Sequence, residues 1–292
     1  MTEEDKMSVY NGKSRVIPIA NHKGGSGKTT TCSNLGAALA REGRKVLLID
    51  FDTQSNLTLA LLTRLQKNRP TIRELMAEQN TFSQVVQEYN DKLHVLPSSY
   101  SLTDIEKAIR NNHAKLPDLK KHNVFFYLRI VLEKINEAYD YVLIDCSPST
   151  ESFLLKNALA ACTEIFIATE AEVFSLKGAT VMEDLVRSEI YPINTSARVS
   201  GVVITRHTPN LILPNAMVSQ IHKRFTGRVF RTTIRNSIKI KEAQTLGLSI
   251  LDHKPYSSCL LYPSDAADDL LCVDLGGHRI NKKKKKKKIY NI

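Results

Sequence analysis

The chain has 292 residues, 42% of them hydrophobic and 24% charged, and its 41 basic against 30 acidic side chains give a formal charge of +11. It holds no recognisable secretory signal and no apolar run long enough to span a bilayer, which excludes an integral membrane protein and makes the cytoplasm the expected compartment. Its five cysteines show neither metal-ligand spacing nor a disulfide framework, so metal-cluster and disulfide-scaffold classes are excluded as well.

An N-terminal tail, 1–14, precedes the first element. Residues 16–20 form an apolar, strand-like run that contains Pro18, which removes one ladder hydrogen bond. Residues 21–30, Asn-His-Lys-Gly-Gly-Ser-Gly-Lys-Thr-Thr, then lead into a helix expected over 29–41. Strand, glycine loop and helix are the setting of a phosphate-binding loop, because a helix N-terminus adds N–H groups and a dipole that favours anions. The candidate phosphate-binding set is Lys23, Gly24, Gly25, Ser26, Gly27, Lys28, Thr29 and Thr30. Small residues let backbone N–H groups turn inward, Lys28 brings a point charge, and Thr29 offers a hydroxyl to Mg²⁺. His22 stands where the usual pattern has its first glycine, and an additional lysine, Lys23, follows it. Two lysines this close cannot easily serve the same phosphates from one side. Lys23 is therefore free to reach a nucleotide held by a partner subunit.

Downstream, the patterning predicts strand 45–50, helices 57–66, 70–77 and 81–89, strand 92–96 before a Pro-Ser-Ser turn, and helices 102–111 and 122–138. Strand 141–145, helix 151–161, strand 164–169 and helix 175–189 follow. The series closes with strand 198–205, helix 215–225, a short strand 229–232 and helix 237–246. Strands alternating with helices predict one α/β domain over 15–258, a mostly parallel twisted sheet with right-handed crossovers and helices on both faces. Asp50 and Asp52 end one apolar strand and Asp145 ends another, so the three carboxylates are expected at the carboxyl edge of the sheet, where open α/β sheets bind ligands. Thr29, Asp50 and Asp145 form the candidate metal set, since Mg²⁺ favours one or two carboxylates, water and substrate phosphates.

Three segments carry a resemblance: the loop at 21–30, Lys-Val-Leu-Leu-Ile-Asp-Phe-Asp-Thr-Gln-Ser-Asn at 45–56, and Tyr-Val-Leu-Ile-Asp-Cys-Ser-Pro-Ser at 141–149. They are similar to the deviant Walker A, the Asp-x-Asp-Pro-Gln motif and the Asp-x-Pro-Pro-Ser Walker B strand of the ParA/MinD family of dimerising ATPases. Thr53 and Ser147 replace prolines of those motifs, and fainter echoes occur at 174–178, 234–236 and 242–243. The resemblance runs from about Arg15 to Tyr256. It implies a P-loop NTPase that uses ATP and Mg²⁺, with residues 23–30 as its ATP-binding set. It also implies a homodimer closed by ATP, with Lys23 contacting the other subunit's nucleotide. Lys23, Lys28 and Asp52 become the catalytic set, Asp52 orienting the attacking water while Asp50 and Asp145 hold Mg²⁺ through its waters.

The resemblance further implies a DNA-partition ATPase of the cytoplasm and nucleoid. Such a protein binds DNA nonspecifically in its ATP state, and a ParB-like centromere-binding partner stimulates hydrolysis to move a plasmid, chromosome or mobile element. Basic residues gather late in the chain, at Arg206, Lys223, Arg224, Arg228, Arg231, Arg235, Lys239 and Lys241. Of these, Lys223, Arg224, Arg235, Lys239 and Lys241 are the candidate DNA contacts. Lys223-Arg224 also closes a predicted helix, where the dipole favours cations without any DNA. No helix-turn-helix precedes the loop, so DNA binding is expected to be phosphate-driven and salt-sensitive. The alternative is a MinD-like membrane-cycling ATPase whose amphipathic C-terminal helix has been lost. Asp52-Thr53-Gln54-Ser55-Asn56 follows the partition branch more closely, and no membrane partner is expected. Nitrogenase-type iron proteins need paired cluster cysteines and bacterial tyrosine kinases a C-terminal tyrosine cluster, and this chain fits neither.

From residue 259 the sequence reads CLLYPSDAADDLLCVDLGGHRINKKKKKKKIYNI, which resembles a translated transposase-type sequencing adapter followed by poly-A. Pro263, His278 and Asn281 each lie one base from that reading, and the seven-lysine run corresponds to AAA codons. Residues 259–292 are therefore expected to be non-native, with the terminal helix of the domain missing. Without them 33 basic and 26 acidic residues leave a charge of +7, still suited to a polyanionic partner.

Overall fold

A computed structural model describes residues 14–62, 69–115, 123–135, 137–172, 175–208, 211–253 and 261–262. Six strands run parallel: β1 (Arg15–Ala20), β2 (Val46–Phe51), β4 (Leu93–Leu96), β5 (Tyr141–Cys146), β6 (Ile165–Glu170) and β7 (Val199–Thr205). The antiparallel β3 (Gln87–Asn90) completes a seven-stranded sheet in the order β3-β4-β2-β5-β1-β6-β7. The central strands are apolar almost throughout because both of their faces are covered. Val16, Leu47, Ile49, Val142 and Ile144 pack with α3 (Ile72–Met76), α5 (Ile105–Lys115), α6 (Tyr127–Glu133), α7 (Phe153–Ala160) and α8 (Ser175–Leu185). Ile17, Ile19, Leu48 and Leu143 face the other way, onto α1 (Lys28–Arg41) and α2 (Asn56–Leu61). The α/β architecture with helices on both faces is the one expected.

Pro18 is accommodated by strand order. Two residues earlier, the Val16 carbonyl accepts from Thr163 N at 2.9 Å, so this phase of β1 points toward β6. The β1–β6 ladder begins only at Ile19, whereas β1 pairs with β5 from Arg15 to Ile19. The missing donor thus falls on the shorter ladder.

Three local expectations are corrected. The helix predicted over 81–89 breaks after α4 (Phe82–Val85). Thr81 and Gln84 form a capping box that starts the turn, but Val86 is extended and residues 87–90 alternate between half-buried and exposed as an edge strand. The helix predicted over 122–138 is shorter. Asn123 accepts from Phe125 N at 2.9 Å and caps a 3₁₀ turn, Val124–Phe126, that enters α6. The strand predicted over 229–232 is a single bridge between Val229 and Val202, and β8 (Thr233–Ile234) lies beyond it, paired with β9 (Leu261–Tyr262). Residues 63–66 of the predicted 57–66 helix lie outside the described residues. So do the N-terminal tail apart from Ser14, and the segment 259–292 apart from Leu261 and Tyr262.

The remaining helices are α9 (Ile212–Arg224), α10 (Ile238–Thr245) and α11 (Ile250–His253). Ile250 N donates to Asn34 Oδ1 at 2.8 Å, and Asp252 accepts from Arg41 at 3.0 Å and Tyr89 at 2.7 Å, tying α11 to α1 and β3. Among the described residues, no helix is long and apolar enough to cross a membrane.

Candidate functional site

The carboxyl edge of the sheet gathers the predicted site residues. In the β2–β5 register Asp50 lies opposite Asp145, so two acids 95 positions apart become neighbours through strand pairing alone. The loop that leaves β1 is built for close approach. Gly25 (φ 75°) and Gly27 (φ 83°) occupy the left-handed region, and a Cβ on Gly27 would lie 2.9 Å from the Cβ of Thr205. Thr205 ends β7 and donates its hydroxyl to the Ser26 carbonyl at 2.7 Å. At the loop's other end the buried Asn21 donates to Ala168 O at 2.7 Å and accepts from Lys23 N at 3.0 Å. A Cβ on Gly178 of α8 would stand 2.9 Å from Asn21 Oδ1, which gives the faint motif at 174–178 a packing cause. Phe174 itself lies outside the described residues.

Several polar groups at this edge lack partners among the described residues. Helix α1 begins at Lys28 with no side-chain cap, so its first N–H groups remain for a ligand. Among the described residues, Ser26 Oγ and both Asp145 carboxylate oxygens are buried without a hydrogen-bond partner. Burial, then the neighbouring Asp50 charge, push the Asp145 carboxyl well above its ordinary range, with Thr29 and Lys28 acting in the opposite direction. Buried Lys28 donates to Lys23 O at 3.2 Å; desolvation lowers its pKa against the pull of Asp145. Orphaned buried oxygens beside an uncapped helix, a buried ammonium and a hydroxyl make a donor set that fits a phosphate and a hard cation.

Asp50 and Asp52 share a network with two residues that sequence reasoning missed. Thr58 donates to Asp50 Oδ2 through its backbone N at 2.8 Å and its hydroxyl at 2.7 Å. The Thr58 hydroxyl accepts from Ser98 N at 2.8 Å, and Ser98 Oγ donates to the Asp52 carbonyl at 2.8 Å. Burial raises the Asp50 pKa to about 6 despite the Thr58 bonds. The available signal was the Pro-Ser-Ser turn after the strand at 92–96, which points at the same sheet edge.

Lys23 turns away from its own loop. Its ammonium contacts Glu170 Oε2 at 2.8 Å and Glu172 Oε2 at 2.6 Å, while Glu170 Oε1 accepts from Arg206 at 2.9 Å. Desolvation alone would lower the Lys23 pKa, but the two carboxylates together raise it. Neither acid was singled out in the sequence, although Glu170 ends an apolar strand in the same way as Asp145.

With this geometry the chain matches known proteins. Residues 14–199 match the family described as an AAA domain. The chromosome-partitioning ATPase Soj of Treponema pallidum is 33% identical over 238 residues, covering 81% of this chain and 88% of that protein. The chain belongs to the ParA/Soj family of P-loop ATPases. Among solved structures, apo McdA from Cyanothece superposes with a TM-score of 0.70 at 24% identity, covering 82% of this chain and 92% of that one. The septum site-determining protein MinD of Pyrococcus horikoshii, complexed with Mg-ADP, gives 0.64 at 22% identity, covering 84% and 90%.

The DNA contacts expected of this ParA/Soj-type ATPase are more scattered than the candidate nucleotide residues. Arg224 pairs with Glu183 at 2.6 Å, as does Arg228, and Lys239 pairs with Glu242 at 2.8 Å. Arg235 is half-buried, and its backbone bridges His207. Lys223 and Lys241 are exposed and form no ion pair among the described residues.

Proposed function

We propose that this ParA/Soj-type ATPase is a partition ATPase that binds ATP with Mg²⁺ and closes into a dimer in which each Lys23 reaches the partner's nucleotide. The observation that carries this reading is the division of labour between the two lysines. Lys28 is buried at its own loop, while the ammonium of Lys23 rests on the Glu170 and Glu172 carboxylates at the rim.

Lys28, with the N–H groups of residues 24–30, holds the phosphates. The Thr29 hydroxyl and, through water, the Asp50 and Asp145 carboxylates would hold Mg²⁺, which would favour the ionised form of both acids. Bound Mg²⁺ supplies charge neutralisation for phosphoryl transfer, a reaction that needs positioning more than covalent chemistry. Asp52 orients the attacking water. Its backbone is fixed by Ser98, and its Oδ1 accepts from Gln54 N at 3.1 Å. The ATP dimer binds DNA nonspecifically through phosphate contacts, Lys223 and Lys241 among them, and associates with the nucleoid. A ParB-like partner stimulates hydrolysis and releases the dimer from DNA.

Lys23→Ala tests the reading. Monomeric ATP binding should persist while the ATP-dependent dimer disappears from light scattering. Normal dimers in this variant would remove the reading.

A further inference from the structure

We infer that Glu170 is a positioning residue that holds Lys23 on its own subunit until nucleotide-driven dimerisation draws the lysine away. This rests on the reading that Lys23 acts across the dimer. Glu170 ends β6 with its side chain 4% exposed, and each oxygen has its own cation: Lys23 on Oε2 and Arg206 on Oε1. Glu172, 62% exposed, grips the same ammonium from the solvent side.

The arrangement lets Lys23 leave without exposing a buried charge. Stripping every partner from a buried carboxylate is strongly unfavourable. Here Arg206 stays behind on Glu170. Arg206 is fixed at the end of β7 with a left-handed backbone, φ 50°, and its Nη1 would lie 3.8 Å from a Cβ on Gly25. A non-glycine residue in that conformation is held by its surroundings. The Lys23 backbone is fixed too, since its N–H donates to Asn21 and its carbonyl accepts from Lys28. Only the four-carbon stem of Lys23 has to swing. A trans contact must therefore compete with two cis ion pairs, and Glu170 sets how much nucleotide is needed to win that competition.

The experiment is a titration of the full chain with the non-hydrolysable analogue AMPPNP and Mg²⁺, followed by sedimentation velocity, with thermal unfolding measured in parallel. Glu170→Gln should lower the nucleotide concentration for half-maximal dimerisation by about fivefold, and Glu172→Gln by about twofold, given what partly exposed ion pairs contribute. A merely structural role would weaken dimers and lower the unfolding midpoint, so a gain in dimerisation is diagnostic. If Glu170→Gln does not fold, Glu172→Gln reads the outer half of the latch alone. An unchanged or raised half-point in the folded variants, with dimers still lost in Lys23→Ala, overturns the latch and leaves the trans role standing. Normal dimers in Lys23→Ala overturn the trans role and the latch together.

Discussion

The candidate nucleotide edge and the basic stretch from 223 to 241 show two ways in which charge enters a fold. At the nucleotide edge, segments distant in sequence converge because parallel register places Asp50 beside Asp145 and the end of β7 beside the glycine loop. The convergence leaves buried oxygens without partners among the described residues, the condition expected where a ligand completes the site. In the basic stretch, by contrast, two of the five candidate DNA contacts already have acidic partners in the fold, Arg224 on Glu183 and Lys239 on Glu242. A motif whose spacing encodes geometry keeps its meaning after folding. A run of like charges keeps only the part that the fold leaves exposed.

The largest effect that sharpens this contrast is on turnover. Asp52→Ala should reduce ATP hydrolysis by roughly 10²-fold or more, the lower range for losing a group that positions a proton or water. Phosphate release in the presence of DNA measures it, and unchanged turnover would show that another carboxylate does this work.

A second test concerns the buried acids themselves. The Asp50 pKa is raised to about 6 in the folded protein, so ionising this group opposes folding. Its penalty is absent near pH 4, grows as pH rises toward 6 and then levels off. Relative to wild type, Asp50→Asn should therefore gain stability in the nucleotide-free state as pH rises from 4 to 7, because only wild type loses stability over that range. Denaturant midpoints across that range decide it. A difference independent of pH would mean that Asp50 is not held in this strained ionised state.

The smallest effect belongs to the basic stretch. Lys223→Glu combined with Lys241→Glu should weaken retention on DNA and flatten the salt dependence by about two phosphate contacts. Arg224→Ala, which removes a cation already paired with Glu183, should change retention less. Equal losses in both would break the contrast between exposed and neutralised cations.

Local signals carried much of the candidate site. The loop at 21–30 was legible because its glycines, lysine and threonine act through adjacent backbone, and the strand-end aspartates because apolar runs announce the sheet edge. The failures were local as well. Residues 81–89 start with a genuine capping box, and nothing in the segment announces that pairing with β4 will pull Gln87–Asn90 into a strand. Thr58 and Ser98 are ordinary turn-forming types, and only their 40-residue separation being closed in space makes them supports for Asp50 and Asp52.

The sequence by itself determined the family, the alternation of the parallel strands with helices, the glycine loop and the aspartates at the sheet edge. The family rests on the resemblance of three motifs, and the others are set by short-range sterics or by the period of apolar residues. The tertiary structure alone decided what Lys23 touches. Its partner Glu170 is 147 positions away and shares its carboxylate with Arg206, 36 positions further on. Spacing cannot encode such a pairing, because it exists only after β6 and β7 have taken their places beside β1 and brought three separate strand ends to one rim.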